Sequence, residues 1–361
     1  MTYNPIRVGF IGLSPGGQWA STAHIPALKS LDDSYAITGV ANSSLESSQR
    51  AAAAFGIPHA FATAHDLVES SEIELVVVTV KVPHHLELVS AALNAGKHVY
   101  CEWPLGNGLA EAQELAQLAQ AKGVLAVAGT QARVAPEVEH LRELVKEGFV
   151  GKLLSTTLIG SGGMWRGETN AASAYLNDEK NGATMLTIPL AHTLAALCEV
   201  LGPIGDLTAR FVNQFDSATV AETEQTIPKT ATDQIMVCGS LVNGMALSVH
   251  YRGGTCRGTN FLWEINGTDG DLQITSTSGH AQMMQLDIRG ANGEMQEMVP
   301  QMPPASAYEV GPSESAPRNV AHMYSRIAHD IHTGSRTAPT FLDAVKLHEL
   351  IDRIDRIAKG A

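Results

Sequence analysis

Apolar residues follow two rhythms along this chain. From residue 6 to about residue 130, short apolar runs alternate with stretches whose apolar positions recur at helical spacing. The runs Arg7–Ile11, Tyr35–Ala41, Glu74–Val80, His98–Cys101 and Val124–Gly129 predict strands. Between them, a glycine-rich turn leads into a helix through Leu28, and Leu45–Phe55, His85–Ala95 and Leu109–Lys122 predict helices, the third closed by Gly96. Strands and helices alternating at this spacing predict a parallel, doubly wound sheet, a Rossmann-type α/β domain over residues 1–130.

After Pro136 a helix is expected to about Gly148, and then the rhythm changes. Leu153–Ile159, Leu207–Phe215, Asp233–Leu241, Met245–Arg252, Asn260–Gly267, Asp271–Thr275 and Met283–Arg289 read as strands with few long helices between them. Val242-Asn243-Gly244 is a strong hairpin signal. Residues 131–361 therefore predict an α+β domain with a large, mostly antiparallel open sheet. Pro300–Pro317 reads as a surface loop, and two helices, from about Arg318 and about Phe341, close the chain.

With 361 residues, 44% of them hydrophobic, the chain can bury more than one core. The formal net charge of −13 disfavours direct contact with nucleic acid or an anionic membrane surface. Met1–Arg7 lacks the apolar core of a secretory leader, and no apolar stretch is expected to reach the roughly 18 residues that span a bilayer. Cys101, Cys198, Cys238 and Cys256 are scattered, with neither disulfide nor metal spacing. A reduced, cytoplasmic protein without a metal is the expectation.

The first candidate site is the turn after the first strand, Gly12-Leu13-Ser14-Pro15-Gly16-Gly17. Against the dinucleotide fingerprint G-x-G-x-x-G, Gly12 and Gly17 match and Ser14 takes the middle position, where its hydroxyl could bond a phosphate oxygen. At the end of the second strand stand Asn42, Ser43 and Ser44. NAD-specific sheets usually place an acid there. An uncharged Asn with two hydroxyls beside it points to NADP ahead of NAD, with Arg50 farther along the helix, while Ser44 also suits a helix cap.

The stretch from Ala91 to Leu105, with Cys101-Glu102-Trp103-Pro104, resembles the glucose-fructose oxidoreductase and inositol dehydrogenase (Gfo/Idh/MocA) family. Those enzymes carry Glu-Lys-Pro here, and the Lys helps manage a proton during hydride transfer. The Lys position is Trp103, whose indole only donates one N–H. The resemblance assigns Gly12, Ser14, Gly16, Gly17, Asn42, Ser43, Ser44, Thr79, Lys81, His85, Glu102 and Trp103 to the dinucleotide. Lys81, at a strand end, could replace the missing lysine, or be a solvated surface residue. Asn181–Thr193 resembles the family's substrate-side helix; His192 is retained, but Ile188 and Ala196 stand where acids are usual. His192 can act as a general base alone or be a core residue. Trp103, Trp165, Arg166 and His192 are the substrate-side candidates, with Tyr175 a further proton-handling candidate.

Within that family the chain is most similar to the fungal galactose-regulon repressor subfamily. The shared residues are Gly12-Leu13, Trp19, His24, Glu102-Trp103, Gly182 through Thr193, Ile227-Pro228-Lys229-Thr230 with Asp233, and Leu241–Gly244. That subfamily keeps the fold and binds a dinucleotide but works by protein contact. Two readings follow. One is an NAD(P)-dependent oxidoreductase acting on a sugar, polyol or related hydroxy or keto compound. The other is a non-catalytic dinucleotide sensor acting through a protein partner. A homodimer or homotetramer through the open face of the second sheet is expected.

Overall fold

A computed structural model describes residues 4–360. The chain forms two compact units: one ends at Gln131 and takes in Tyr308–His348 again, the other covers Ala132–Ala307 and continues from Glu349.

In the first unit, strands β1 (Ile6–Ile11), β2 (Tyr35–Ala41), β3 (His59–Phe61), β4 (Leu75–Val78), β5 (His98–Glu102) and β6 (Ala126–Gly129) form one parallel sheet in the order β3-β2-β1-β4-β5-β6. The central strands are buried on both faces: all four residues of β4 are buried, as are all four of β6. That is why they read as unbroken apolar runs rather than alternating ones. The connecting helices are α1 (Ile25–Lys29), α2 (Leu45–Phe55), α3 (Ala64–Glu69), α4 (His85–Asn94) and α5 (Leu109–Lys122). Ser44 caps α2, accepting from the Ser47 N–H, and Gly56 ends it in the left-handed region at φ 72°.

Several boundaries differ from expectation. The third long strand is four residues, not seven, and Thr79, directly after it, donates its hydroxyl to the Gly12 carbonyl at 3.1 Å. The last strand begins at Ala126 rather than Val124. The first helix opens with a π-turn, Ala20–His24, before α1. β3 and α3 are too short to show a period in the sequence; α3 is fixed instead by a capping box between Thr63 and Asp66.

The second unit opens with α6 (Pro136–Lys146) and is built on an eight-stranded sheet. Its strands are β7 (Leu153–Gly162), β9 (Ile204–Val212), β12 (Gln234–Leu241), β13 (Ala246–Gly253), β14 (Phe261–Gly267), β15 (Gly270–Ser276), β16 (Asp287–Asn292) and β17 (Val299–Pro300), in the order β17-β16-β15-β14-β7-β13-β12-β9. β7 and β13 pair in parallel and the other neighbours antiparallel, so the sheet is mixed but mostly antiparallel. One face carries the core, with Leu158, Tyr251, Trp263, Ile265 and Ile274 buried. A small second sheet, β11 (Thr226–Pro228), β10 (Ser217–Val220) and β8 (Glu168–Thr169), lies outside the expected pattern because its strands are short and polar. The strand expected over Leu207–Phe215 begins three residues earlier, and the one expected over Met283–Arg289 is β16, displaced to Asp287–Asn292.

α7 (Ala191–Leu201) continues a π-turn, Leu186–Leu190. The helical stretch Glu179–Leu201 is long and apolar enough by composition to cross a membrane, contrary to the expectation that no stretch reaches that length. Its most apolar window is 72% buried inside the fold, which is the signature of a core helix. The closing helices are α8 (Ser315–Thr333) and α9 (Phe341–Lys359); α8 starts three residues before the expected Arg318, inside the segment expected to be loop.

Close packing around glycine is severe in β7. A Cβ on Gly160 would fall 2.1 Å from the ring of the buried Tyr251. Gly160→Ala is expected to cost about 1–3 kcal/mol in urea unfolding through overpacking. Gly258→Ala, where nothing lies within 4 Å, is the matched control and should stay near wild type.

Candidate functional site

The turn after β1 is held from three sides. Gly12 has φ 101° and donates its N–H to the Ala41 carbonyl at 3.1 Å. A Cβ there would lie 2.6 Å from a Val80 methyl, so only glycine lets the ends of β1 and β4 come this close. The Asn42 amide donates to the Leu13 carbonyl at 2.8 Å and the Ser47 carbonyl at 3.2 Å. Beyond that, the turn is bare. A Cβ on Gly16 would meet only the Ser14 hydroxyl, 3.6 Å away, and one on Gly17, at φ 76°, nothing within 4 Å. The Ser14 hydroxyl accepts weakly from the Gly16 N–H at 3.4 Å. Exposed backbone with open space over it is what close approach of a diphosphate requires, so these residues fit a dinucleotide.

At the end of β2, Ser43 and Ser44 are exposed. The Ser44 oxygen accepts the capping bond from Ser47 at 3.2 Å, which leaves its hydroxyl proton available to a ligand oxygen. Arg50 pairs with Glu46 on the same helix at 2.5 Å, both exposed.

At the ends of β4 and β5 the candidates separate by burial. Lys81 is exposed and begins the short turn Val82–His84. His85 is buried, with Nδ1 2.8 Å from the Pro104 carbonyl and Nε2 3.0 Å from the Val80 carbonyl. It ties the loop after β4 to the loop after β5, and burial lowers its pKa against those hydrogen bonds. Trp103 is buried and meets the His348 ring at 4.5 Å between centroids, with a 43° tilt; the Trp103–Pro104 peptide is cis. The position implied for a lysine is thus filled by an aromatic packed on an aromatic.

Beside it lies a polar network that sequence reasoning did not single out. His24, fully buried, places Nδ1 2.8 Å from the Tyr324 hydroxyl and Nε2 3.0 Å from Glu102 Oε1. Gln131 Nε2 donates to the same oxygen at 2.6 Å and to the Tyr100 hydroxyl at 3.1 Å. Burial raises the phenol pKa values of Tyr100 and Tyr324, with the Glu102 charge adding to both. A Cβ on Gly129 would fall 2.5 Å from Glu102 Oε1, so glycine makes the space for this carboxylate. His24 and Tyr324 lie 300 residues apart, and only His24 and Glu102 carried any sequence signal, both through family resemblance.

In the second unit, His192 stands in the first turn of α7 and is buried. Ile188 is half-buried in the preceding π-turn, and Ala196 is buried one turn on. Trp165 is buried, its indole N–H donating to the Leu176 carbonyl at 3.1 Å, and so braces the turn that carries Tyr175. Tyr175 is half-buried, with its pKa raised by burial; Arg166 is exposed. In the same unit, the Lys229 ammonium pairs with Asp233 at 3.2 Å with both side chains buried, and Asp233 accepts from the N–H groups of Gln214 and Phe215 at 3.0 and 3.1 Å. Among the described residues no group of His, Cys, Asp and Glu could hold a metal ion.

Comparison with known proteins gives two family matches. Residues 6–130 match the family described as oxidoreductase family, NAD-binding Rossmann fold, and residues 136–276 match the family described as Gal80p, C-terminal domain. The chain is similar to the galactose/lactose metabolism regulatory protein of Saccharomyces cerevisiae, 26% identical over 400 residues, covering 97% of this chain and 92% of that protein. It is also similar to the dehydrogenase aclE of Aspergillus oryzae, 31% identical over 284 residues, covering 76% of this chain and 77% of the relative. A crystal structure of a super-repressor mutant of Gal80p from Saccharomyces cerevisiae shares the fold with a TM-score of 0.90 at 26% identity, covering 99% and 97% of the two chains.

His348, behind Trp103, makes the first unit sensitive to acid. Burial pushes its pKa down to about 4, against about 6.5 in an unfolded chain. Above pH about 6.5 both states are neutral there and its contribution is constant. As pH falls toward about 4 the unfolded chain gains a proton that the fold refuses, so stability falls by up to about 1.4 kcal/mol per pH unit from this group. His348→Phe keeps a ring against Trp103 and should flatten the fall in urea-derived stability across that window; an unchanged slope would show that His348 does not resist protonation.

Proposed function

The chain belongs to the oxidoreductase family with an NAD-binding Rossmann fold, and on that premise we propose that it is a nicotinamide-dinucleotide-dependent oxidoreductase acting on a sugar, polyol or related hydroxy or keto compound. The observation that carries the reading is the bare turn Gly16-Gly17, braced by Asn42 and by Gly12 against Val80, which offers backbone to a diphosphate. The Ser14 hydroxyl adds a donor to that turn. NADP is favoured over NAD because no carboxylate stands at the end of β2 to repel a 2′-phosphate, while Ser43 and Ser44 can donate to one. Thr79, Lys81, Glu102 and Trp103 are proposed to border the nicotinamide end.

The dinucleotide supplies the hydride chemistry when bound. The chain must then move the proton of the substrate hydroxyl. With an indole at residue 103, His192 is the proposed general base. Lys81, exposed at the end of β4, is the alternative proton carrier. Tyr175, whose phenol burial keeps protonated, is suited to donate a hydrogen bond rather than to accept a proton. Trp165 and Arg166 would form the substrate-side wall, the first by bracing the Tyr175 turn and the second by offering charge to sugar oxygens.

A second reading is favoured by Trp103 itself. Packed on His348, it closes the lysine's place with an apolar surface, as suits a dinucleotide sensor working through a protein partner. The galactose/lactose metabolism regulatory protein of Saccharomyces cerevisiae is a regulator by name and aclE a dehydrogenase by name, so the relatives support both readings. Either form is proposed to act in the cytoplasm, without direct nucleic-acid or membrane contact, as a homodimer or homotetramer through the open face of the eight-stranded sheet.

Titration of the purified protein with NADH and NADPH, followed by nicotinamide fluorescence and then by a panel of sugars and polyols, tests the reading. Tight binding with turnover on any panel member is expected, with NADPH bound more tightly. Trp103→Lys should raise turnover by about 10²–10⁴-fold if the remaining machinery is intact. Binding without turnover in either protein would sink the enzyme reading and leave the sensor.

A further inference from the structure

The parallel sheet of the first unit has two ends, and the candidate dinucleotide turn occupies only one of them. That turn follows β1, at the carboxyl ends of the strands, where ligands of such sheets usually sit. At the amino ends of β1, β4 and β5 lies a cleft of about 420 Å³. Its lining includes Arg7 of β1, Ser71 and Glu74 from the approach to β4, Lys97 and His98 at the start of β5, and His332 of α8, all within the first unit. The stretch from Arg7 to Gly12 spans about 17 Å at roughly 3.3 Å per residue, so the two ends are separate places.

The fold uses the N–H donors of this lining only in part. Lys97 Nζ donates to the Ser70 and Ile73 carbonyls at 2.8 Å each. An ammonium carries three N–H bonds, so one is left for a ligand. The Leu125 backbone N–H donates to His98 Nδ1 at 3.0 Å. Nδ1 is therefore the acceptor and the ring proton sits on Nε2. The Arg7 Nε donates to Glu74 Oε2 at 3.1 Å, and further N–H groups of its guanidinium remain. Glu74 is the one carboxylate in the lining, and the Arg7 backbone N–H holds the same oxygen at 3.1 Å.

Burial lowers the pKa of Lys97, with Glu69 and Glu74 opposing the shift and Arg7 adding to it. Burial likewise lowers that of His98, with Arg336 adding to the shift and Glu74 opposing it. Both groups thus lie where a nearby negative charge is favourable. Donors from two strands that converge on one cleft suit a ligand made of acceptor oxygens, since charge-assisted hydrogen bonds are the strong ones.

We propose that this cleft binds a small oxyanion of the phosphate class, held by Lys97, His98 and Arg7 at the end of the sheet away from the dinucleotide turn. A bound anion ties the starts of β1 and β5 together and stabilises the first unit by mass action. The site serves an enzyme and a sensor alike, and needs no dinucleotide to be bound.

Calorimetric titration of the whole chain with inorganic phosphate in a chloride buffer tests this, for the wild type, Lys97→Met and Glu74→Gln, each with and without saturating NADPH. Lys97→Met removes a charged donor and is expected to weaken phosphate about tenfold. Glu74→Gln keeps an oxygen for Arg7 but removes a like charge, and is expected to tighten phosphate about threefold. A folding fault does not tighten binding, so Glu74→Gln decides the matter even if Lys97→Met, which loses the brace on two carbonyls, folds poorly. A parallel titration with glycerol 3-phosphate shows whether the free ion or an ester is the better ligand. No binding of either at about 10 mM, ten times a constant of about 1 mM, overturns the proposal. So does phosphate affinity that Glu74→Gln fails to tighten. Phosphate that NADPH displaces and neither substitution affects is bound at Gly16-Gly17, which overturns this site and leaves the dinucleotide reading standing.

Discussion

The carboxylate of Glu102 is the constraint around which the first unit is arranged. An ionised group withdrawn from water costs several kcal/mol unless it is well paired and hydrogen-bonded. The chain meets that cost from four separate segments. His24 comes from the π-turn before α1, Tyr100 from β5, Gln131 from just beyond β6, and Tyr324, behind His24, from α8. Gly129 lacks a side chain where one would occupy the carboxylate's place. The Tyr35 hydroxyl continues the arrangement by donating to the Tyr324 carbonyl at 2.6 Å, which fastens α8 to β2. Through His24 and Tyr324 the network ties the return of Tyr308–His348 to the parallel sheet formed by the first 130 residues.

The same end of the sheet shows how a charge can be lost at little cost to the fold. Trp103 is buried on His348, a histidine that burial holds neutral, so the local environment is apolar aromatic packing. His85 fixes the two flanking loops through backbone carbonyls and asks nothing of residue 103. The backbone that a dinucleotide would approach is therefore shaped by Gly12, Asn42 and His85, none of which depends on a lysine being present.

How far the sequence discloses this depends on the range of each interaction. The parallel strands are legible because burial on both faces makes β4 four consecutive apolar residues. The turn from Gly12 to Gly17 is legible because its geometry is local. β3, α3 and the small sheet of β8, β10 and β11 escape notice because two to six residues carry no measurable period. The apolar length of Glu179–Leu201 is also overlooked, since two registers of π-turn and helix blur one continuous segment. The role of His24 is illegible in principle: one partner is 78 residues away and the other 300, and a lone histidine in a helical stretch carries no spacing signal.

These differences in range also explain an asymmetry among the residues that the family pattern implies. Glu102 has donors that belong to the fold, and removing its carboxylate would leave buried N–H groups of His24 and Gln131 without acceptors, each costing about 1–3 kcal/mol. A lysine at residue 103, or acids at residues 188 and 196, would have no such fixed partners to abandon. Ala196 is buried on an apolar helix, where an unpaired carboxylate would be costly. Of these four positions the chain carries a charged side chain only at residue 102, where the fold supplies its donors, and Trp103, Ile188 and Ala196 at the others. Retention of Glu102 is therefore weak evidence for catalysis, because the fold uses its carboxylate as an acceptor for His24 and Gln131 whether or not any substrate is turned over.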